Sequence, residues 1–230
     1  MKVMIGRATP EDALALASLA ADALATRIDA DSPRVRKILN EGLTFVARID
    51  ESIVGFASNF FTFDQEGRRR FELDLLAVAP GAQGRGIGGR LVEASLAAAR
   101  DSKPVLIRTL VRSENWSMQR LCRRHGFTLS PCEYHLFVSV PRPVARQTQG
   151  HQARLIPVET LNYSGIWLEG ALSQEALDDA LWTASQSDRS VIGAVIPSDA
   201  SHESDLLRAN AFNNLGEYNW WTISAGSAGS

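Results

Sequence analysis

Two periods alternate in the distribution of apolar residues along the chain, and together they predict an ordered mixture of strands and helices. "KVMIGRAT" reads as a first strand. "TPED" then supplies a capping Thr9, a proline at the first helical position and two acids in the first turn of a helix that runs to about Ala25. Ser32 opens a second helix in the same manner, ending near Gly42. "LTFVARID", "SIVGFASNFFTF" and "RRFELDLLAV" follow, three apolar, β-branched or aromatic runs separated by the turn chemistry of "ES" and "DQEGR", which predicts an antiparallel meander. After a glycine-dense stretch, "GRLVEASLAAAR" is an amphipathic helix carrying Leu91, Val92 and Leu96, and "PVLIRTLV" is a buried strand. "NWSMQRLCRRHGF" is a helix closed by Gly126, and "EYHLFVSV" is a last strand. The predicted order is βααβββαβαβ.

The rest of the chain repeats part of this pattern. Displaced by 85 residues, "PVLIRTLVRSENW" falls on "RSVIGAVIPSDAS"; positions 71–127 show nine identities in 57, and the apolar positions track without a gap. "RLIPVETLNYSGIWLEGALSQEALDDALWTAS" therefore reads as strand plus helix, "SVIGAVIP" as strand, "SHESDLLRANAF" as helix and "EYNWWTIS" as strand. "PRPVARQTQGHQAR", with two prolines and neither period, separates the halves. The expected organisation is a first domain over residues 1–142, a linker over 143–153, a smaller β-α-β-α-β domain over 154–224 and a disordered tail over 225–230. A half-sheet of about 70 residues is marginal alone and leaves an open edge, so it is expected to dock near the last strand of the first domain or against another subunit.

Composition narrows the class. At 45% apolar and 22% charged, the 230 residues are ordinary globular sequence. Residues 1–144 carry 20 basic and 16 acidic groups, whereas residues 145–230 carry 4 and 10, so the total of -2 hides an acidic second half. That total gives no general attraction to nucleic acid. No basic segment precedes an apolar run at the start, and residues 13–25 are too short and too alanine-rich to span a bilayer. A cytoplasmic protein, monomer or homodimer, without a membrane or nucleic-acid partner is expected. Cys122 and Cys132 lie ten apart, without metal-like spacing, which argues against a disulfide framework and a metal site.

"PGAQGRGIGGRL" is the stretch that asks for a ligand. A glycine in or near a helix costs roughly 0.5 to 1 kcal/mol relative to alanine, and five stand here together. Gly84, Gly86 and Gly89 satisfy G-x-G-x-x-G, but residues 79–83 intervene after the strand and "LIRTLVR" brings no acid for a ribose, which argues against a nucleotide-dependent oxidoreductase. No G-K-[ST] exists for a phosphate-loop NTPase. "AVAPGAQGRGIGGRL" resembles the acetyl-CoA signature of the GNAT superfamily of N-acetyltransferases, with Gln83, Gly86 and Gly88 in the signature places. "SENWSMQRLCRRHGF" resembles that family's later motif, and the resemblance spans roughly residues 3 to 140.

The resemblance implies an α/β (α+β) GNAT acyl-CoA N-acyltransferase fold, a mixed, mostly antiparallel sheet flanked by helices, followed by a smaller GNAT-like unit. It implies acetyl-CoA as cosubstrate without a metal, and direct transfer of the acetyl group to a primary amine of a small molecule or a peptide. The backbone of Gln83, Gly84, Arg85, Gly86, Ile87, Gly88 and Gly89 would then cradle the pyrophosphate as an anion nest at a helix N-terminus. Arg85 and Arg90 either touch phosphates or lie in solvent. Leu76, Ala77 and Val78 would run along the pantetheine, and Asn115 would contact CoA while capping its helix.

An amine of pKa about 10 is only about one part in a thousand neutral at pH 7, so a base must take its proton. Glu72 stands where one branch of the family places its base, and Asp74 follows two residues later on the same strand face. The tyrosine that usually protonates departing CoA is replaced by Cys122, which is either a donor or core packing, with Tyr134 or a water held by Ser117 as substitutes. His125 reads as a capping residue. A non-catalytic acetyl-CoA-binding or regulatory module is the alternative to an enzyme. In the second half, "LEGALSQ" puts Leu168, Ala171 and Ser173 in place of the glutamine and two glycines, and Glu169 opposes a phosphate, so no CoA is expected there. Trp167, Trp182, Trp220 and Trp221 read as core or interface, and the acidic surface as one wall of an acceptor pocket favouring cationic amines.

Overall fold

The computed structural model describes residues 2–144 and 150–224. Its first half follows the predicted order, with one short strand added: β1 (Met4–Arg7), α1 (Ala13–Leu24), α2 (Pro33–Asn40), β2 (Thr44–Ile49), β3 (Ser52–Phe63), β4 (Arg69–Val78), α3 (Ile87–Ser102), β5 (Leu106–Arg112), α4 (Trp116–Arg124), β6 (Thr128–Leu129) and β7 (Tyr134–Ser139). The Asp12 carboxylate accepts from the Thr9 amide at 2.9 Å ahead of α1, and Ala25, at φ 50°, ends that helix in the left-handed conformation. α1 and α2 cover one face of the sheet, where Leu16, Val35 and Phe56 are buried together. α3 covers the other, packing Ile87 and Leu91 against Ala47 and Ala57, the strand neighbours whose side chains point the opposite way from Val46 and Phe56. Gly55 permits that approach, since a Cβ there would stand 3.0 Å from the Ala77 carbonyl and 3.2 Å from Leu91.

The second half contains β8 (Arg154–Glu159), β9 (Ser164–Glu169), α5 (Gln174–Ser185), β10 (Val191–Pro197), α6 (Ser201–Ala209) and β11 (Asn213–Ser224). Displaced by 85 residues, β5 and α4 coincide with β10 and α6 residue for residue. The correspondence fails before α5. Residues expected to form one strand and the lead into a helix form the β8–β9 hairpin instead, turned at Thr160, whose Oγ1 accepts from the Tyr163 amide at 3.1 Å. The unit is therefore β-β-α-β-α-β rather than β-α-β-α-β.

The halves do not stand side by side as separate sheets. One sheet runs β1-β2-β3-β4-β5-β11-β7-β10-β9-β8, with β6 paired to β11. β11, the last strand, lies between β5 and β7 and pairs antiparallel with β5 from Tyr218↔Arg112 to Ser224↔Leu106. β7 in turn pairs with β10 from Ile192↔Ser139 to Pro197↔Tyr134. Each half thus gives its last strand to the other. Trp221 on β11 is buried in the first half's core with Phe71, Val92 and Phe127, which gives the exchange an apolar anchor. The expected boundary near residues 143–153 separates segments of sequence but not of sheet. The expected tail, 225–230, and linker positions 145–149 lie outside the described residues.

Candidate active site

β4 and β5 begin as parallel neighbours and then part. They pair only at Arg70↔Leu106, Phe71↔Ile107 and Glu72↔Arg108. Beyond that point β5 follows β11 and β4 follows β3, which opens a wedge in the middle of the sheet. The parting coincides with a bulge, because β3 pairs Asn59 with Leu73 and Ser58 with Leu75, leaving Asp74 as the extra residue. Bulges re-aim side chains, and this one puts Asp74 at the apex of the wedge. Leu76, Ala77 and Val78 line its β4 side, held from behind by Ala57, Phe56 and Gly55.

At the open end of the wedge stands the glycine-dense loop. Gly84 and Gly86 have φ of 76° and 75°, and an added Cβ would meet nothing within 4 Å at either, so glycine is needed there for conformation rather than for space. The amides of Gly84, Arg85, Gly86, Ile87, Gly88 and Gly89 make no hydrogen bond to a protein acceptor among the described residues; the first bond of α3 is Arg90 N–H to the Gly86 carbonyl at 3.2 Å. Such a row of free donors at a helix N-terminus fits the pyrophosphate of CoA. Ile87 anchors the row with a side chain only 1% exposed. Gln83 donates from Nε2 to the Val78 carbonyl at 3.1 Å, tying the loop to the strand end. Arg90 donates to the Val3 carbonyl at 2.9 Å and is occupied structurally, whereas Arg85 is exposed beside the free amides. Asn115 is exposed and caps α4, its Oδ1 accepting from the Met118 amide at 3.0 Å.

The two carboxylates of β4 have separated fates. Glu72 is 2% exposed and fully engaged: Arg108 Nε donates to both of its oxygens at 2.9 and 2.8 Å, Thr62 Oγ1 donates to Oε1, and Arg70 lies 3.7 Å away. A carboxylate locked in this way has no free lone pair aimed at an amine, which removes Glu72 from the base role expected for it. Asp74 is the reverse case. Its Oδ2 is enclosed and has no hydrogen-bond partner, and burial, with a smaller contribution from the Glu72 charge, pushes its pKa up to about 7.

Cys122 does not replace a proton donor. It is 1% exposed among Phe71, Leu73, Val92 and Trp221, and burial pushes its thiol up to about 12. Tyr134 lies on β7, two strands from β5, and shares a hydrogen bond with Ser130 at 3.2 Å. His125 closes α4, and its Nε2 lies where a Cβ on Gly89 would meet it at 3.3 Å, so Gly89 also lets α4 approach α3.

The wedge is not repeated in the second half. β9 and β10 pair from Val191↔Gly165 through Ala194↔Leu168, and the link from β9 to α5 is only residues 170–173, against 79–86 in the first half. Glu169 is not at a helix start as expected. It ends β9 and reaches across to the first half, where Arg70 donates to it at 2.8 and 3.0 Å and Arg108 at 2.6 Å. Among the described residues no three His, Cys, Asp or Glu side chains are placed to hold a metal ion, and no helix is long and apolar enough to cross a membrane.

Residues 40–129 match the family model of the acetyltransferase (GNAT) domain, over the segment that holds the meander, the wedge and the glycine loop. This segment is a GNAT acetyltransferase domain. No curated protein matches the sequence. Among solved structures, a Pyrococcus horikoshii protein described as an acetyltransferase superposes with a TM-score of 0.64 at 19% identity, covering 96% of this chain and 89% of its own. A GCN5-related N-acetyltransferase from Sphaerobacter thermophilus gives 0.58 at 14% identity, covering 97% and 96%. A glucosamine N-acetyltransferase region of a fungal β-N-acetylglucosaminidase gives 0.62 at 14%, covering 96% of this chain and 38% of its own. At these identities the likeness is one of fold, and it extends over the second half as well as over the GNAT domain.

Four residues around the wedge escaped the sequence reading. Arg70 and Arg108 bind Glu72, and only the parallel register of β4 with β5 brings Arg108 there. Tyr163 and Trp167 come from the β8–β9 hairpin, which crosses to the same side of the sheet as Phe60; the indole of Trp167 stands edge-on to the Phe60 ring at 5.5 Å. The tryptophan count hinted at an interface but not at its partner.

Proposed function

We propose that the chain is an acetyl-CoA-dependent N-acetyltransferase in which Asp74 is the general base. The observation that carries this reading is the conjunction of a free-amide cradle at Gly84–Gly89 with a wedge between β4 and β5 that has an unpartnered carboxyl at its apex. Acetyl-CoA enters as substrate, its pyrophosphate on the cradle and its pantetheine along Leu76, Ala77 and Val78. The amine nitrogen attacks the thioester carbonyl, its proton passes to Asp74, the carbon–sulfur bond breaks, and amide and CoA thiolate result. A base of pKa about 7 is matched to this task at neutral pH, where a free aspartate near 3.9 is too weak. Cys122 gives the thiolate no proton, so the leaving sulfur departs charged or is protonated by water. The second half binds no CoA, since it has neither wedge nor cradle.

Thiol release from acetyl-CoA, followed with a panel of primary amines, tests the reading. Asp74→Asn is expected to lower kcat by about 10²-fold or more, the usual contribution of a positioned base, while leaving CoA affinity by calorimetry unchanged. CoA binding without turnover of any amine would favour a non-catalytic module instead.

A further inference from the structure

The β8–β9 turn is fixed against the first half as if its position mattered. Arg34 on α2 donates through Nη1 to the carbonyls of Thr160 and of Tyr163, the second at 2.8 Å, and Lys37 pairs with Glu159 at 2.8 Å. Leu161 is fully buried in the core beneath α1 and α2. This clamp presents Tyr163 on the side of the sheet that holds Asp74. The Tyr163 hydroxyl oxygen accepts from Trp167 Nε1 at 3.0 Å, which orients it. Among the described residues its hydrogen has no acceptor and Asp74 Oδ2 has no donor. No hydrogen bond joins the two, yet they share one electrostatic neighbourhood: burial first, then the Asp74 charge, holds Tyr163 well above the ordinary phenol range. The phenol therefore stays protonated, a donor of one hydrogen bond toward whatever enters. A donor and an acceptor that face the same space without touching are complementary to a ligand carrying the opposite pair.

We infer that Tyr163 is the specificity residue for the acceptor, and that the acceptor is a small primary amine bearing a hydrogen-bond-accepting oxygen close to its nitrogen. The amine faces Asp74 and the oxygen takes the Tyr163 proton, so each half of the chain supplies one side of the acceptor subsite. An alkylamine of equal length leaves the buried tyrosine unpaired, a penalty that a site built around a polar partner exacts from an analogue lacking it. The inference rests on the transferase reading above.

Steady-state kinetics on the full chain, with acetyl-CoA held saturating, would compare ethanolamine with propylamine and serinol with isopropylamine. The oxygen-bearing member of each pair is expected to be favoured in kcat/KM by about tenfold, the worth of one neutral hydrogen bond. Tyr163→Phe removes that preference through KM of the oxygen-bearing amine, with CoA affinity unchanged. Trp167→Phe, which keeps the phenol but loses the indole that orients it, reduces the preference by a smaller factor, about threefold. Equal kcat/KM within both pairs for the parent protein, or an unchanged preference in either folded variant, overturns the assignment. Turnover of no amine at all while CoA binds overturns the transferase reading itself, a distinguishable result.

Discussion

Glu169→Gln tests whether the two halves are joined by charge as well as by strands. Four buried or half-buried groups meet where β4, β5 and β9 converge: Arg70, Arg108, Glu72 and Glu169, two of each sign. Glutamine keeps the shape and one acceptor, but removes the charge that receives three guanidinium hydrogen bonds, and turns an NH₂ toward one of the arginines. Breaking a buried pair costs 3–5 kcal/mol; the Glu169 side chain is 24% exposed, so screening places the loss near the lower end, about 3 kcal/mol. For a chain of this size that is a fall in Tm of about 6–12 °C. Burial raises the Glu169 pKa, but Arg108 and Arg70 together outweigh it and hold the group below its ordinary value. A depressed folded-state pKa stabilises above the unfolded value, near 4.3, and that stabilisation is lost as pH falls through the folded value. Urea denaturation at pH 7.5 and at pH 4 and below should therefore show a gap between parent and variant that narrows on acidification. Lys37→Gln is the control, since its pair with Glu159 is 62% and 36% exposed and is worth no more than about 1 kcal/mol. A Glu169→Gln deficit as small as the control's, or one insensitive to pH, would refute the reasoning.

Three further outcomes are expected. Asp74→Asn should make the protein more stable while making it slower: a carboxyl with folded pKa about 7 and unfolded pKa about 3.9 costs nothing below pH 4 and up to about 4 kcal/mol above pH 7, so the variant's gain should appear only as pH rises through that window, and a constant gain would count against burial as the cause. Gly86→Asp places a carboxylate among the free amides at a φ of 75° and should abolish CoA binding in calorimetry, while an unchanged affinity would remove the cradle from the CoA site. A truncation ending at Pro143 deletes β11, strips β5 of its partner from Leu106 to Arg112 and takes Trp221 from the core, so it should be insoluble or unfolded; a soluble truncation with parent-like CoA affinity would show that the exchanged strand is dispensable.

What the sequence disclosed, and what it withheld, follows from the range of the forces involved. α3, β5 and α4 were readable because each is set by its own period and caps, and the glycine loop because a row of positive-φ glycines has few local purposes. The exchange of β7 and β11 was not readable. "EYHLFVSV" and "EYNWWTIS" have similar patterns, and nothing local to either says whether its partner is β5 or β10. The base was misassigned for a related reason. Glu72 and Asp74 are equivalent by strand spacing, and they are told apart by a one-residue bulge against β3 and by arginines brought from β5 and from within β4 itself. β9 was hidden because the gapless displacement laid it over the glycine loop, where a strand has no place.

The charge cluster also reaches the chemistry. Asp74 owes its raised pKa first to burial and then to the negative charge of Glu72, and Glu72 is held by two arginines that Glu169 shares. With Glu169 in place the cluster is neutral; without it, Arg70 and Arg108 leave one positive charge uncompensated behind Asp74. That charge favours the carboxylate form and lowers the pKa of the base. The acidic limb of the pH profile of kcat/KM, set by Asp74 in the free enzyme, should accordingly move to lower pH in Glu169→Gln, and the base should become weaker as it becomes easier to ionise. A limb that stays where the parent has it, in a variant shown to be folded, would mean that the cluster only joins the halves; a shifted limb would mean that the second half, which has no cradle of its own, sets the strength of the base in the first.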